Sequence, residues 1–166
     1  MNRSRQGGFT LVELVVVIIV LGVLAAFAVP RFMGIDTQAR IASVNSLAGT
    51  LRSTAAMAHS VYMARGNPPN PVIIDGKSIT FVNGYPNAGT IASLLSDGTV
   101  TNNSLGGAFT ATAAATVATF TLNGANTPAN CGATYTQAAA AGASPVVQTV
   151  PAGLGGGGGT QVTGGC

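Results

Sequence analysis

Glu13 is the only ionisable side chain between Phe9 and Val29, and from Leu14 to Val29 there is no charged, amide or hydroxyl side chain at all. At about 1.5 Å per residue, this run of 21 residues is long enough to cross about 30 Å of hydrocarbon as a helix. An acidic side chain at the centre of a bilayer costs about 2.5–3.5 kcal/mol, so a carboxylate kept there is a functional residue by default. The alternative is that Glu13 sits at headgroup level, near the end of the span. Ahead of the run, Met1 to Gly8 is short, polar and basic. Arg3 and Arg5 would hold this end on the cytoplasmic side. A secretory signal carries its small-residue cleavage site after the apolar run, whereas here Gly7 and Gly8 precede it. A cut between Gly8 and Phe9 would remove the leader, keep the apolar helix and turn Phe9 into an N-terminal amine four positions from Glu13.

The other reactive residues are few. Cys131 and Cys166 lie beyond the apolar run, on the side that the basic leader places outside the cytoplasm, where disulfides persist. Paired, they would close a loop of about 36 residues and stabilise by about 3–4 kcal/mol in the chain-entropy picture. A metal or redox pair is the competing reading, but the spacing fits neither and His59 is the only histidine. One position from an apolar helical stripe, His59 reads as a helix-surface residue. Asp75 and Asp97 each precede a glycine and have no acidic neighbours, so they read as turn residues rather than calcium ligands. Asn102-Asn103-Ser104 fits a glycosylation triplet, a pattern common by chance. No nucleophile, base and acid converge anywhere, and after Asp97 no side-chain base is stronger than a hydroxyl or an amide. The chain therefore reads as no enzyme, with no cofactor and no metal site.

Gly8-Phe9-Thr10-Leu11-Val12-Glu13, the apolar stretch Leu14 to Ala26 and the later Pro30 together resemble the N-terminal signal of type IV pilins and their relatives. The resemblance covers about the first 30 residues. It implies cleavage after Gly8 by a membrane-embedded prepilin peptidase, which also methylates the Phe9 amine. It implies that Glu13 pairs with the Phe9 amine of a neighbouring subunit as a fibre assembles, and that the helix is kinked at Gly22 and Pro30.

Positioning these residues falls to one long helix. Proline ordinarily breaks a helix, but Pro30 stands where the apolar run ends, and helical periodicity resumes after it. Val44, Leu47, Leu51, Ala55, Ala58 and Tyr62 form one apolar stripe at spacings of three and four, with Arg40, Arg52 and Arg65 off it. Gly66 ends the pattern, and Asn67-Pro68-Pro69-Asn70-Pro71 prevents its return. A helix from about Thr10 to Arg65 would be about 84 Å long. Its first half, apolar all round, must be buried in lipid or in a polymer. Its second half must cover one face of something else. Val72–Ile74, Asp75-Gly76 and Ile79–Val82 read as a small hairpin, Gly84-Tyr85-Pro86 as a turn, and Thr90 to Leu95 as a short helix. Val117–Leu122, Ala133–Thr136 and Val146–Val150 read as strands. The region from Ala111 to Ala118 and that from Ala138 to Ala141 are open between strand, loop and helix. Gly155 to Gly159 reads as a flexible loop. Three or four antiparallel strands against the helix give an α+β fold, with residues 1–8 a leader, 9–30 a transmembrane and polymerisation helix and 31–166 an extracytoplasmic domain.

Charged residues make up only 7% of the 166-residue chain, against a typical figure of about 25%. None occurs after Asp97. The net charge of +3 includes Arg3 and Arg5; without them, five basic and four acidic side chains leave +1. No basic patch interleaved with aromatics exists, so the sequence gives no sign of nucleic-acid binding. Gly84-Tyr85-Pro86, Thr90-Ile91-Ala92, Asn130-Cys131, Thr134-Tyr135-Thr136 and Gly165-Cys166 resemble the mannose-sensitive haemagglutinin branch of the type IV pilins. The resemblance implies a structural subunit, held first in the inner membrane with a cytoplasmic N-terminus and then in an extracellular filament. Its partners would be copies of itself, the prepilin peptidase, the inner-membrane assembly machinery and a host or abiotic surface. The alternative is a pseudopilin of a type II secretion system, which shares the N-terminal signal. Major pseudopilins resemble one another in an acidic, calcium-binding C-terminal loop, and this chain has no acid after Asp97.

Overall fold

The computed structural model describes residues 9–95, 104–150 and 166. The chain divides into two compact units, Met1–Gln38 and Ala39–Cys166, and helix α1, Leu11–Ala64, contributes to both. In the first unit α1 begins two residues into the described chain and its backbone stays helical through Gly22 and Pro30. The helix thus continues past Pro30, as the periodicity beyond it leads one to expect.

In the second unit, α1 buries Ile41, Val44, Ala48, Leu51, Ala55 and Ala58, at alternating spacings of three and four. Leu47 and Tyr62, expected on this stripe, are only half-buried at its margin. On the exposed side, Ser43, Thr50 and Ser60 turn their hydroxyls back onto the carbonyls of Ala39, Ser46 and Ala56, which satisfies them without charge. The helix ends in a paired reverse bond. Gly66 N–H donates to Met63 O and Asn67 N–H to Tyr62 O, the arrangement that uses up the last carbonyls when the residue after the helix turns left-handed.

Two small hairpins follow. Strands β1 (Val72–Ile74) and β2 (Lys77–Ile79) are joined by Asp75-Gly76, and β3 (Phe81–Val82) and β4 (Tyr85–Pro86) by Asn83-Gly84. All four turn residues have positive φ, the geometry that two-residue hairpin loops demand. The single strand expected from Ile79 to Val82 is therefore split at Thr80 between two hairpins, and Tyr85-Pro86, expected in a turn, is a strand. Helix α2 (Ile91–Leu95) occupies the short helix expected there.

The remaining strands form one sheet in simple sequential order: β5 (Ser104–Leu105), β6 (Phe109–Ala113), β7 (Val117–Leu122), β8 (Gly132–Thr136) and β9 (Val146–Val150), all antiparallel. Strand β7 and strand β9 carry the expected bounds. Strand β6 resolves the open region from Ala111 onward, while Ala138 to Ala141 forms no regular element. Five strands replace the three or four expected. The glycine run 155–159 lies outside the described residues. One face of the sheet, with Ala111, Ala118, Phe120, Ala133, Tyr135 and Val147, packs with Ala48, Leu51 and Ala55 of α1 and Ile91 of α2. Burying side chains the size of Phe120 or Leu51 stabilises by roughly 1.5–3 kcal/mol each. On the alternate positions, threonines line up across strands: Thr112 beside Thr119 beside Thr134, and Thr110 beside Thr121. The fold is α+β, as the sequence pattern requires.

Candidate functional site: the amino-terminal helix

Thr10 and Glu13 build the start of α1. Glu13 Oε2 accepts from the Thr10 backbone N–H at 3.0 Å and from the Thr10 hydroxyl at 2.8 Å, while Glu13 N–H donates to Thr10 Oγ1 at 3.3 Å. This is a reciprocal cap, in which a Thr and a Glu three residues later satisfy each other's orphan donors. It fixes the Glu13 carboxylate over the first turn, with Oε1 making no hydrogen bond among the described residues. The spacing Thr-x-x-Glu was visible in the sequence, yet the role of Thr10 was not part of the expectation.

Beyond this cap the helix is apolar on every side. Phe9 is 93% exposed, and even the most covered of the large side chains from Leu11 to Phe27, Val15, is 39% exposed. No part of the described chain covers them. Val12, Glu13, Val16 and Val17 line a shallow depression with Phe9, so the acid sits at the edge of an uncovered apolar surface. Among the described residues no helix is long and apolar enough to cross a membrane. The part of the apolar run whose side chains are described, Leu11 to Phe27, extends about 25 Å at 1.5 Å per residue, and the side chains of residues 28–34 lie outside the described set.

Gly8, Arg3 and Arg5 lie outside the described residues, and Phe9 is the first described one. Cys131 and Cys166, in the second unit, are joined by a disulfide with Cα atoms 4.9 Å apart. Both are buried with Ile41, Val44, Leu122 and Ala125, which closes one end of the core. His59 departs from the helix-surface expectation. Its Nδ1 lies 2.7 Å from Gly84 O and its ring stacks on Tyr85 at 4.1 Å, because Gly84 leaves room for it: a Cβ at Gly84 would stand 3.2 Å from the imidazole. The arginines off the stripe also have work that periodicity does not show. Arg40 donates to Gly124 O, Arg52 to Val147 O at 2.9 Å and Arg65 to Ile73 O at 2.8 Å, so each ties α1 to a carbonyl elsewhere in the second unit.

A capped helix with one acid at its start and an uncovered apolar surface after it defines a segment made to be buried by other molecules. The family described as "Prokaryotic N-terminal methylation motif" matches residues 3–29. The chain is 45% identical over 64 residues to a type IV narrow pilus major component, PilA5, of Thermus thermophilus, covering 39% of this chain and 53% of the relative. It is 37% identical over 51 residues to a type IV major fimbrial protein, FimA, of Dichelobacter nodosus, covering 31% and 33%. It is also 49% identical over 41 residues to a type II secretion system core protein G of Pseudomonas aeruginosa, covering 25% and 29%. The chain spans about half or less of the length of these curated relatives. No solved structure matches it. The likeness to type IV pilins and to a type II secretion core protein thus rests on the N-terminal methylation motif and covers no more than 39% of this chain.

Proposed function

We propose that the chain is the structural subunit of a type IV pilus, a surface filament used for attachment. The observation that carries this reading is the uncovered apolar helix from Leu11 to Phe27 with Glu13 fixed at its start. Such a surface needs lipid before assembly and neighbouring helices after it. In this reading residues 1–8 are a leader cut after Gly8, and Phe9 becomes a methylated N-terminal amine. Residues 9–30 anchor the precursor in the inner membrane and later form the filament core, while residues 31–166 form its outer surface. Repeated head-to-tail contacts between copies generate an open helical polymer. In that core an unpaired carboxylate would cost several kcal/mol, and the Phe9 amine of an adjacent copy neutralises it. Thr10 holds Oε2, so Oε1 is the oxygen that faces the incoming amine. The pair sets the axial register of the new helix, as single buried polar groups do elsewhere. Gly22 and Pro30 are the positions where the helix bends to fit.

A second reading, a pseudopilin of a type II secretion system, is favoured by the likeness to core protein G. Against it stand the lack of any acid after Asp97 and the Cys131–Cys166 disulfide. The experiment expresses wild type and Glu13→Ala each as the only copy, then compares processed subunit in membranes with subunit in sheared surface fibres. Wild type should yield fibres whose subunit begins at N-methylated Phe9 by intact mass. Glu13→Ala should be inserted and processed yet absent from fibres, and Glu13→Asp, one methylene short, should be intermediate. Fibres of normal yield from Glu13→Ala would show that apolar packing alone sets the register. Wild type that makes no surface fibre while supporting secretion would replace the first reading by the second.

A further inference from the structure

The sheets of the second unit differ in how their edges are closed. Strand β5, at one side of the five-stranded sheet, is two residues long. In the small hairpins, the Ile73 carbonyl of β1 accepts from Arg65 at 2.8 Å, and Pro86 of β4 has no N–H while its carbonyl accepts from the Tyr135 hydroxyl at 2.7 Å. Strand β9 forms the other side of the five-stranded sheet and offers five residues, Val146-Val147-Gln148-Thr149-Val150. All are uncharged, three are valine, and none is proline or glycine. Short uncharged windows rich in β-branched residues pair readily with copies of themselves. Proteins ordinarily guard such an edge with a lysine or another charge on the strand itself. No Lys, Arg, Asp or Glu follows Asp97, so β9 has none of its own.

The charge comes from α1 instead. Arg52 donates to the Val147 carbonyl at 2.9 Å, across 95 residues of sequence. The ladder bonds show that this carbonyl lies on the open edge. Along a paired strand, alternate residues turn their N–H and C=O to opposite sides. Leu122 N–H donates to Cys131 O and Gln137 N–H to Thr116 O, so Ala133 and Tyr135, in phase with them, face β7. Gly132, Thr134 and Thr136 therefore face β9, where they oppose Val150, Gln148 and Val146. Val147 and Thr149 are left with their main chain turned outward. Pro145 and Pro151 bound the strand in sequence and carry no N–H, which confines outward pairing to these five residues. A second β9 can meet this edge antiparallel about a two-fold axis, the self-complementary arrangement of most dimers. Val147 of each copy then exchanges main-chain bonds with Thr149 of the other, and the two Gln148 side chains stand opposite each other. That register needs the Val147 carbonyl, which Arg52 occupies.

We propose that the outer edge of β9 is a strand-pairing surface for the β9 of a second copy, and that Arg52 keeps it shut in the single chain. The inference concerns the second unit alone and does not depend on the fibre reading. The test compares full-length wild type, Arg52→Met, Arg52→Met combined with Gln148→Lys, and Arg65→Met, each in detergent. Methionine keeps an unbranched side chain while removing the donors and the charge. Sedimentation should show Arg52→Met associating at concentrations about tenfold or more below those at which wild type stays dispersed, the factor that loss of a charge-assisted bond is worth. By NMR, the Val147 N–H should exchange more slowly in the associated form than in the wild-type monomer. Gln148→Lys should return Arg52→Met to wild-type behaviour, because it sets two lysines opposite each other across the paired edge from an exposed position. A variant that associates merely through lost stability would gain nothing from that lysine. Arg65→Met, which opens an edge of only three residues, should behave as wild type. The proposal is overturned if Arg52→Met stays as dispersed as wild type, or if Val147 is not protected in the associated form. It is equally overturned if Gln148→Lys fails to restore dispersal, or if Arg65→Met associates as readily as Arg52→Met.

Discussion

Gly132 offers the sharpest test of the sheet. It opens β8 opposite Thr121 of β7, next to the disulfide-bonded Cys131. A Cβ at this position would stand 1.9 Å from Phe120 O, 2.9 Å from Phe120 C and 3.1 Å from Thr121 Cα. All three atoms are main chain of the neighbouring strand, so no rotamer relieves the clash. An ordinary C···O contact is about 3.3 Å, and the strands would have to part by more than 1 Å in the middle of a five-stranded sheet. The bond from Leu122 N–H to Cys131 O, now 2.8 Å, would then be lost or badly stretched. Overpacking costs about 1–3 kcal/mol, and one or two lost main-chain bonds add about 0.5–1.5 kcal/mol each. Gly132→Ala should therefore destabilise by about 4 kcal/mol. For a folding unit of about 128 residues this lowers the melting temperature by roughly 12–24 °C. The assay is thermal unfolding followed by circular dichroism on the full chain in detergent, under non-reducing conditions. Gly49→Ala is the control: it sits in α1 with nothing within 4 Å of the added Cβ, and should stabilise by about 0.5–1 kcal/mol. A Gly132→Ala protein melting within about 3 °C of wild type would refute the register assigned to β7 and β8.

Three further outcomes are expected. Tyr135 is fully buried and donates to Pro86 O at 2.7 Å; burial, with a smaller contribution from Tyr85, raises its phenol well above the usual tyrosine range. The unfolded chain releases that proton near pH 10 while the folded chain keeps it. Stability should therefore be whole below about pH 10 and fall by up to about 1.4 kcal/mol per pH unit above it. Tyr135→Phe should remove that alkaline slope while costing about 1–3 kcal/mol at neutral pH, through the stranded Pro86 carbonyl; an urea-melt series from pH 8 to 11 measures both. Thr149 is 1% exposed and its hydroxyl has no hydrogen-bond partner among the described residues, so Thr149→Val should be stabilising by about 1 kcal/mol in the same melts. Cys166→Ser should lower stability by a few kcal/mol, and a thiol assay on unfolded, non-reduced wild type should find no free thiol.

Much of this architecture was legible from pattern. The stripe from Val44 to Ala58 gave the buried face of α1 because a helix repeats every three to four residues, and the β-branched runs at 117–122 and 146–150 gave two strands to the residue. What escaped depended on contacts between distant segments. Thr80 breaks what reads as one strand because Asn83-Gly84 makes a second hairpin. The dipeptide carries the turn signal, but Pro86 so close behind it argues against a strand; only pairing with Phe81 at the sheet margin makes a proline there tolerable. Strand β5 is two residues long and has no periodicity to read. The arginines at 40, 52 and 65 read only as lying off the stripe, because their carbonyl partners are between 8 and 95 residues away. At the N-terminus Glu13 stood out by being alone in an apolar run, whereas Thr10 did not, since a hydroxyl at the start of a helix is ordinary until the carboxylate is seen to fold back onto it.

The threonine rows on the five-stranded sheet have a consequence for how the chain meets digestive enzymes. Trypsin needs Lys or Arg at the cut, and the last one in the sequence is Lys77; enzymes that cut after acids find their last site at Asp97. Strands β5 to β9 contain neither kind, and Cys131, just before β8, is bonded to Cys166. Trypsin thus has no bond to cut in the sheet even when it is unfolded, so its persistence through tryptic digestion reflects what the strands are made of rather than how tightly they are held.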